Sequence, residues 1–427
     1  MGITIKSVDS NFERSPLIRP FGFKGGYMSD IWQVAVKLET ETGSHIGLGT
    51  QSTLWSDAAV FASNSEAAGN AMMMTMTNFA LSQAIGVEFE TPLDLLDRLL
   101  EPTWEYGCQI TGRSDLRKTF ALNALVAVDN AAWLAYAAHH GISHYDDLVP
   151  EQFRKALPEH HDAVAAIPLM AYAIPLDEIV QAVEDGYFFM KIKIGRPGTQ
   201  EEMLAGDMAR LTEIHNAIGG MTTPHSESGK LPYYFDANGR YEEIDTLRRL
   251  LDHADKIGAL EQIAVVEEPF PEEYMEEVGD LGVRIAADES AHTDADAKHR
   301  IELGYTAMAL KPIAKTMSMS LRVAQTAHEQ NIPCFCADLT VNPILVEWNK
   351  AFAARLKAFP GLKVGLVETN GHQNYAQWAE MQSWNPQHGA EWTKQQGGCF
   401  QLSDEYYACS GGIFEPSPHY VEMFVQR

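Results

Sequence analysis

Residues 187–195 read YFFMKIKIG, and four later runs repeat the design: LPYYFDANG at 231–239, IAVVEEP at 263–269, VRIAADES at 283–290 and YTAMALKP at 305–312. Each is a short β-forming stretch that ends on a charged residue. AIPLMAYAI at 166–174 precedes them, and IPCFCADLT at 332–340 and LKVGLVETN at 362–370 follow, which makes eight candidate strands. The segments between them have room for a helix and carry helical periodicity, as at 241–257 and 316–330. Eight strand–helix alternations over roughly 200 residues predict an α/β fold of the (β/α)8 TIM-barrel type. An open doubly wound sheet is the alternative, and the lack of a Gly-rich phosphate loop after the first strand weighs against it.

Outward from the barrel, at 165–376, the pattern changes on both sides. Residues 1–140 read as an α+β capping domain: strands near 3–8, 31–38 and 45–49, a turn at 41–44, and helices at 57–85, 92–101 and 115–138 that stop near Gly141. Residues 377–427, rich in Trp, Gln, Ser and Gly, have no strand–helix period and are expected to return to the cap. The stretch 219–231, IGGMTTPHSESGKLP with its flanks, is punctuated by Gly and Pro and reads as a surface loop on the face away from the chemistry.

The chain has 427 residues, enough for a large barrel and a smaller companion. Its 32 basic and 58 acidic residues leave a net charge of −26, which repels nucleic-acid phosphates and anionic lipid. Five cysteines, at 108, 334, 336, 399 and 409, form no zinc spacing and no even disulfide set. With no signal-peptide pattern and no run near the length of an apolar membrane span, a cytoplasmic protein is expected.

In a barrel the chemistry collects at the C-terminal ends of the strands. Here those ends are mostly charged: Lys191 and Lys193 on strand two, Asp236 and Asn238 on strand three, Glu267 on strand four, Asp288 on strand five, Lys311 on strand six and Glu368 on strand eight. Alternation along a strand puts Lys191 with Lys193, and Asp236 with Asn238, on one side. Any one of the acids has a bland explanation as a solvated carboxylate, and Asp288 also as a helix cap. Three on adjacent strand ends would repel one another, and a divalent cation with hard oxygen ligands, Mg2+, removes that cost. Lys193 and Lys311, four strands apart in a closed sheet of eight, are expected to face each other across the mouth. Such a pair can take a proton from one face of an α-carbon and return one to the other, with the metal stabilising the enolate. His292 and His372 follow strand ends without lying on a strand and read as surface or helix-cap residues.

The set resembles the enolase superfamily in its mandelate racemase and muconate lactonizing enzyme branch. Lys-x-Lys in MKIKIG, Asp-x-Asn in YFDANGRY, Glu-x-Pro in VVEEPF, Asp-Glu-Ser in AADES and the lysine of MALKP carry the resemblance. It implies Asp236, Glu267 and Asp288 as magnesium ligands, Lys193 and Lys311 as the acid/base pair, Lys191 as electrostatic support, and Asn238 and Glu368 as further site residues. It also implies mobile capping loops near 15–30 and 50–62, a small carboxylate substrate and an even-numbered homo-oligomer. The seventh strand has no histidine for a His-Asp pair, so the lysine–lysine type is favoured.

Two departures matter. Dipeptide-epimerising members carry Asp-x-Asp on strand eight, where this chain has Glu368-Thr369-Asn370, and many lysine-type members have Gly-Gly after the strand-six lysine, where it reads Lys311-Pro-Ile-Ala-Lys315-Thr316. The expected activity is racemisation, epimerisation or cycloisomerisation of a small acid. The alternatives are dehydration of a hydroxy or sugar acid and a catalytically silent carboxylate-binding or interaction protein.

Overall fold

Gly43 takes a left-handed φ of +116°, open to glycine without strain, and so closes the turn between strands Gly26–Thr40 and Gly43–Gln51. With Ser7–Phe23 they form a three-stranded antiparallel sheet. The computed structural model describes residues 2–23 and 26–425. The expected strand at 3–8 is split: Ile3–Thr4 pairs with Glu88–Phe89, and Ser7 starts the long sheet strand.

Both expected capping loops correspond to regular structure. Of 15–30, the described residues 15–23 and 26–30 are strand, with 24 and 25 outside the described residues, and 50–62 contains the helices Thr53–Ser56 and Ala58–Ser63. Three longer helices follow. Ser65 caps Glu66–Ala84 at its N-terminus, a capping box of Thr91 and Asp94 opens Pro92–Thr111, and Gly141 ends Lys118–His140 at φ +64°. The last helix packs so closely on the sheet that a Cβ at Gly47 would lie 2.1 Å from Ala131 N and 2.2 Å from Ala127 O. Contrary to the sequence expectation, this helix is long and apolar enough to cross a membrane by composition. It is almost wholly buried in the cap, as a core helix is.

The eight expected strands form a parallel sheet in chain order. It closes on the first strand, which Pro168 divides. Ala163–Ile167 pairs with strand eight, Gly365–Glu368, and Leu169–Met170 pairs with strand two, Lys191–Lys193. Proline has no N–H for the ladder, but its carbonyl still accepts the Lys191 N–H at 3.0 Å. Helices follow seven of the strands, and the exception corrects the regular alternation. Residues 268–284, after strand four, form no helix.

The tail departs from expectation in its first half. Gln395–Gln396 and Cys399–Gln401 form a hairpin that pairs antiparallel with Ala163–Ala165 of the barrel. Only the last residues reach the cap, where His419 Nε2 meets Glu13 at 2.9 Å and Asn11 donates to the Met423 carbonyl at 2.9 Å. The 219–231 segment folds under the N-terminal face, where Glu227 N bonds Gly361 O and Lys363 N bonds His225 O.

Candidate active site

Each strand end delivers its charged side chain inward, as alternation requires. Lys191, Asp236, Glu267, Asp288, Lys311 and Glu368 are all buried, and Lys193 is 11% exposed at its side chain. Asn238 and Glu268 take left-handed φ values of 46° and 40°, backbone strain of the kind that collects at functional sites.

Lys191 is the hub. Its ammonium lies 2.8 Å from Glu267, 3.0 Å from Asp236 and 3.2 Å from Glu368. Burial alone would lower its proton affinity, but the three carboxylates more than offset that and hold the lysine charged, well above its usual range. Lys193 lies 2.5 Å from both Asp236 Oδ2 and Asn238 Oδ1. Burial pushes the Asp236 carboxyl up, while Lys191 and Lys193 pull harder and hold it down at about 2. Across the mouth, Lys311 lies 2.5 Å from Asp288 Oδ2; burial alone would lower its pKa, but Asp288, Glu267 and Glu289 together raise it.

The acids crowd together. Oxygens of Glu267, Asp288 and Glu289 lie within 4.8 Å of one another, all three residues buried. Burial pushes Glu267 well above the carboxylate range; Lys191 opposes the rise, and the charges of Asp236 and Asp288 add to it. Glu289 Oε2 is buried without a hydrogen-bond donor. A buried all-carboxylate set with an orphaned oxygen suits a hard divalent cation. Asp236 is outside that group, with its carboxylate taken up by the two lysines of strand two. It connects to the group through Asn238, whose amide donates to Asp236 at 3.3 Å and to Glu289 at 2.8 Å.

Lys193, Lys311, Asp236, Asn238, Asp288 and Glu368 line one cavity of about 40 Å³, and Phe21, Met28, Ser52 and Trp55 of the cap complete its walls. The Trp55 ring lies 4.1 Å from the Lys311 ammonium, a cation–π contact that closes the strand-six side. A groove of about 520 Å³ between the cap and the tail is larger but mostly apolar, and none of the strand-end charges reaches it.

Four residues of this region lie outside the site residues read from the strand ends. Glu289 follows Asp288, Trp55 comes from the cap, Asp338 ends strand seven and Lys315 lies one turn past Lys311. Asp338 accepts backbone N–H bonds from Leu339 at 2.7 Å and Asn370 at 2.9 Å, and its own N–H donates to Glu368 at 3.0 Å. Burial, then the Glu368 charge, pushes its carboxyl up to about 7. His292 corrects the surface expectation. It is mostly buried, 15% exposed at its side chain, at the cap–barrel junction, bonded to Thr119 Oγ1 and Glu272, and Arg117 of the cap joins the same cluster and donates to the Glu289 carbonyl at 2.8 Å. His372 is mostly buried too, and burial lowers its pKa to about 4. Thr293, not Asp288, caps the helix Asp294–Glu302.

Residues 176–405 match the family of enolase C-terminal domain-like proteins, the mandelate racemase and muconate lactonizing enzyme type. The chain belongs to the enolase superfamily. Solved structures with this superfamily fold include a mandelate racemase/muconate lactonizing protein from Herpetosiphon aurantiacus, 18% identical, covering 94% of this chain and 96% of that one with a TM-score of 0.61. A dipeptide epimerase from Cytophaga hutchinsonii, complexed with Mg and D-Ala-L-Val, is 18% identical over 86% and 87% of the chains at 0.61. An L-talarate dehydratase from a Polaromonas species, complexed with Mg and L-glucarate, is 19% identical over 88% of each chain at 0.58. No curated protein matches the chain. Within the superfamily fold, this chain places its two lysine-bearing strands, two and six, on opposite sides of the closed sheet.

Proposed function

We propose that this enzyme works through the enolate of a small-molecule acid, with two lysines as the acid/base pair. As a racemase or epimerase it removes the proton α to the carboxylate and returns one to the same carbon; as a cycloisomerase it exchanges that proton against a ring bond at the adjacent carbon. The observation that carries this reading is the shared cavity of Lys193 and Lys311, supplied from opposed strands and bounded by Asp236, Asp288 and Glu368. Glu267, Asp288 and Glu289, with Asp236 beside them, would hold Mg2+, consistent with the magnesium in the complexes of the epimerase and the dehydratase. When bound, the ion supplies a Lewis acid for the substrate carboxylate.

The chain's own groups do the rest. Lys193 and Lys311 are the two proton carriers, one on each face of the α-carbon. For either amine to accept a proton from the substrate it must first give one up. Lys191 stays charged among its carboxylates and offsets negative charge that develops nearby. The cap residues Trp55, Met28 and Phe21 exclude water from the cavity.

A second reading, dehydration of a hydroxy acid, draws support from Asp338. A buried carboxyl in the cavity wall with a pKa of about 7 can donate a proton to a departing hydroxyl. Incubation of candidate acids in deuterated water separates the two. Solvent deuterium at the α-carbon of an intact skeleton supports the isomerase, and a keto acid product supports the dehydratase. Persistence of α-exchange in both Lys193→Ala and Lys311→Ala would sink the two-base mechanism.

A further inference from the structure

We propose that Arg117 is a positioning residue that seats the cap residue Trp55 over Lys311 and so shields that lysine from water. The inference rests on the reading of Lys311 as a proton carrier. The guanidinium spans the cap–barrel junction. Its Nη1 donates to the carbonyls of Trp55 and Ser56 at 3.3 Å each, and its Nη2 to the Glu289 carbonyl at 2.8 Å and Glu272 Oε1 at 3.2 Å. Its Nε lies 2.8 Å from Glu272 Oε2. The Arg117 backbone N–H adds a bond to Asp57 Oδ2 at 3.2 Å, and Asp57 Oδ1 caps the helix Ala58–Ser63. One residue thus ties the cap segment 55–57 to the barrel.

What it ties down bears on Lys311. The Trp55 ring lies 4.1 Å from the Lys311 ammonium, and Asp288 Oδ2 meets the same nitrogen at 2.5 Å. Glu289, at the barrel end of the tie, directly follows Asp288, so the tie sets indole and carboxylate in one register about the amine. The indole N–H is buried without a hydrogen-bond partner, so no polar bond of the ring itself fixes its seat. The neighbouring bonds of the segment, from Ser52 and Ser56 to Asn123 and from Thr53 to Asn70, stay within the cap. Arginine suits the task because its planar fork reaches acceptors on both sides at once, where a lysine ammonium is a single point. Lys311 is 2% exposed, and such a cover directs its proton exchange to the substrate rather than to water.

The test is acetylation of the full chain by acetic anhydride with chelator present, each lysine's rate being read by mass spectrometry after digestion. Lys350, fully buried against Glu347 and the Trp392 carbonyl, is the internal reference, since general loosening of the fold raises both lysines together. Arg117→Met and the charge-keeping Arg117→Lys are expected to raise Lys311 acetylation at least about fivefold relative to Lys350, and Trp55→Ala at least as much. In the Trp55→Ala background Arg117→Lys is expected to add nothing, because the cover it seats is gone. Where Arg117→Met does not fold, Arg117→Lys decides. Unchanged Lys311 acetylation in Arg117→Lys or in Trp55→Ala, a parallel rise at Lys350, or multiplied effects in the double variant overturns the proposal. The labelling needs no substrate, so its failure leaves the proton-carrier reading standing; that reading is tested separately, by α-exchange in Lys311→Ala.

Discussion

The Lys191 ammonium lies 2.8 Å from Glu267 Oε1, and the same nitrogen also touches Asp236 and Glu368. A single buried cation thus joins the ends of strands three, four and eight. Replacing it with methionine leaves three buried carboxylates facing one another. Lys191→Met is expected to lose about 3–5 kcal/mol in urea unfolding with chelator present, the cost of breaking a buried ion pair from one side. Saturating Mg2+ is expected to return part of that stability. A loss below about 1 kcal/mol would show that the carboxylates tolerate each other unaided.

Magnesium itself is expected to raise the melting temperature of the wild type, since the ion binds the folded acids and not the dispersed ones. At a hundredfold excess over its Kd the gain is about 2.7 kcal/mol. Glu289→Ala, which removes the orphaned oxygen, is expected to cut the shift sharply. Equal shifts in both proteins would take Glu289 out of the ligand set.

Asp129, on the cap helix Lys118–His140, accepts the Ser318 hydroxyl and, at 3.1 Å, the Ser318 N–H at the head of the barrel helix Met317–Glu329. Burial raises its carboxyl from 3.8 to about 6, with the Ser318 bonds opposing. A raised acid binds more protons folded than unfolded. Its contribution to stability is therefore fully present below about pH 4 and is lost as the pH rises through 6. Asp129→Asn cannot titrate and is expected to flatten the unfolding free energy across that window. An unchanged slope from pH 4 to 6 would assign the dependence to other groups.

Gly47 is pressed against the backbone of Ala127 and Ala131. Because the close atoms are main chain rather than a flexible side chain, Gly47→Ala is expected to cost at least the 1–3 kcal/mol or so of overpacking. Gly86→Ala tests the contrast. Nothing lies within 4 Å of its Cβ, so only the strain of its φ of +77° remains, and the loss is expected to be smaller. Thermal unfolding of the two variants ranks them.

Much of the barrel was legible because its signals are local. Each of the strands named from apolar runs is present, and Asp236, Glu267, Asp288, Lys193 and Lys311 were visible as charges at the ends of such runs. What misled was also local. The 268–284 segment is long enough for a helix and forms none, and the 15–30 segment looks like a loop until its partner strand is known. The apolarity of 118–140 carries no statement of what covers it.

By itself the sequence determined the order of strands, the period that turns alternate residues inward, and the charged residue that each strand end delivers. Those follow from spacing along one chain. Only the tertiary structure decided which charges meet. Glu289 joins Glu267 and Asp288, Asp236 turns to the strand-two lysines, Lys315 backs Asp288, Trp55 of the cap covers Lys311, and His292 is drawn into the junction with Arg117. Contacts between residues tens to hundreds of positions apart depend on barrel closure and on how the cap seats, and no local pattern encodes either.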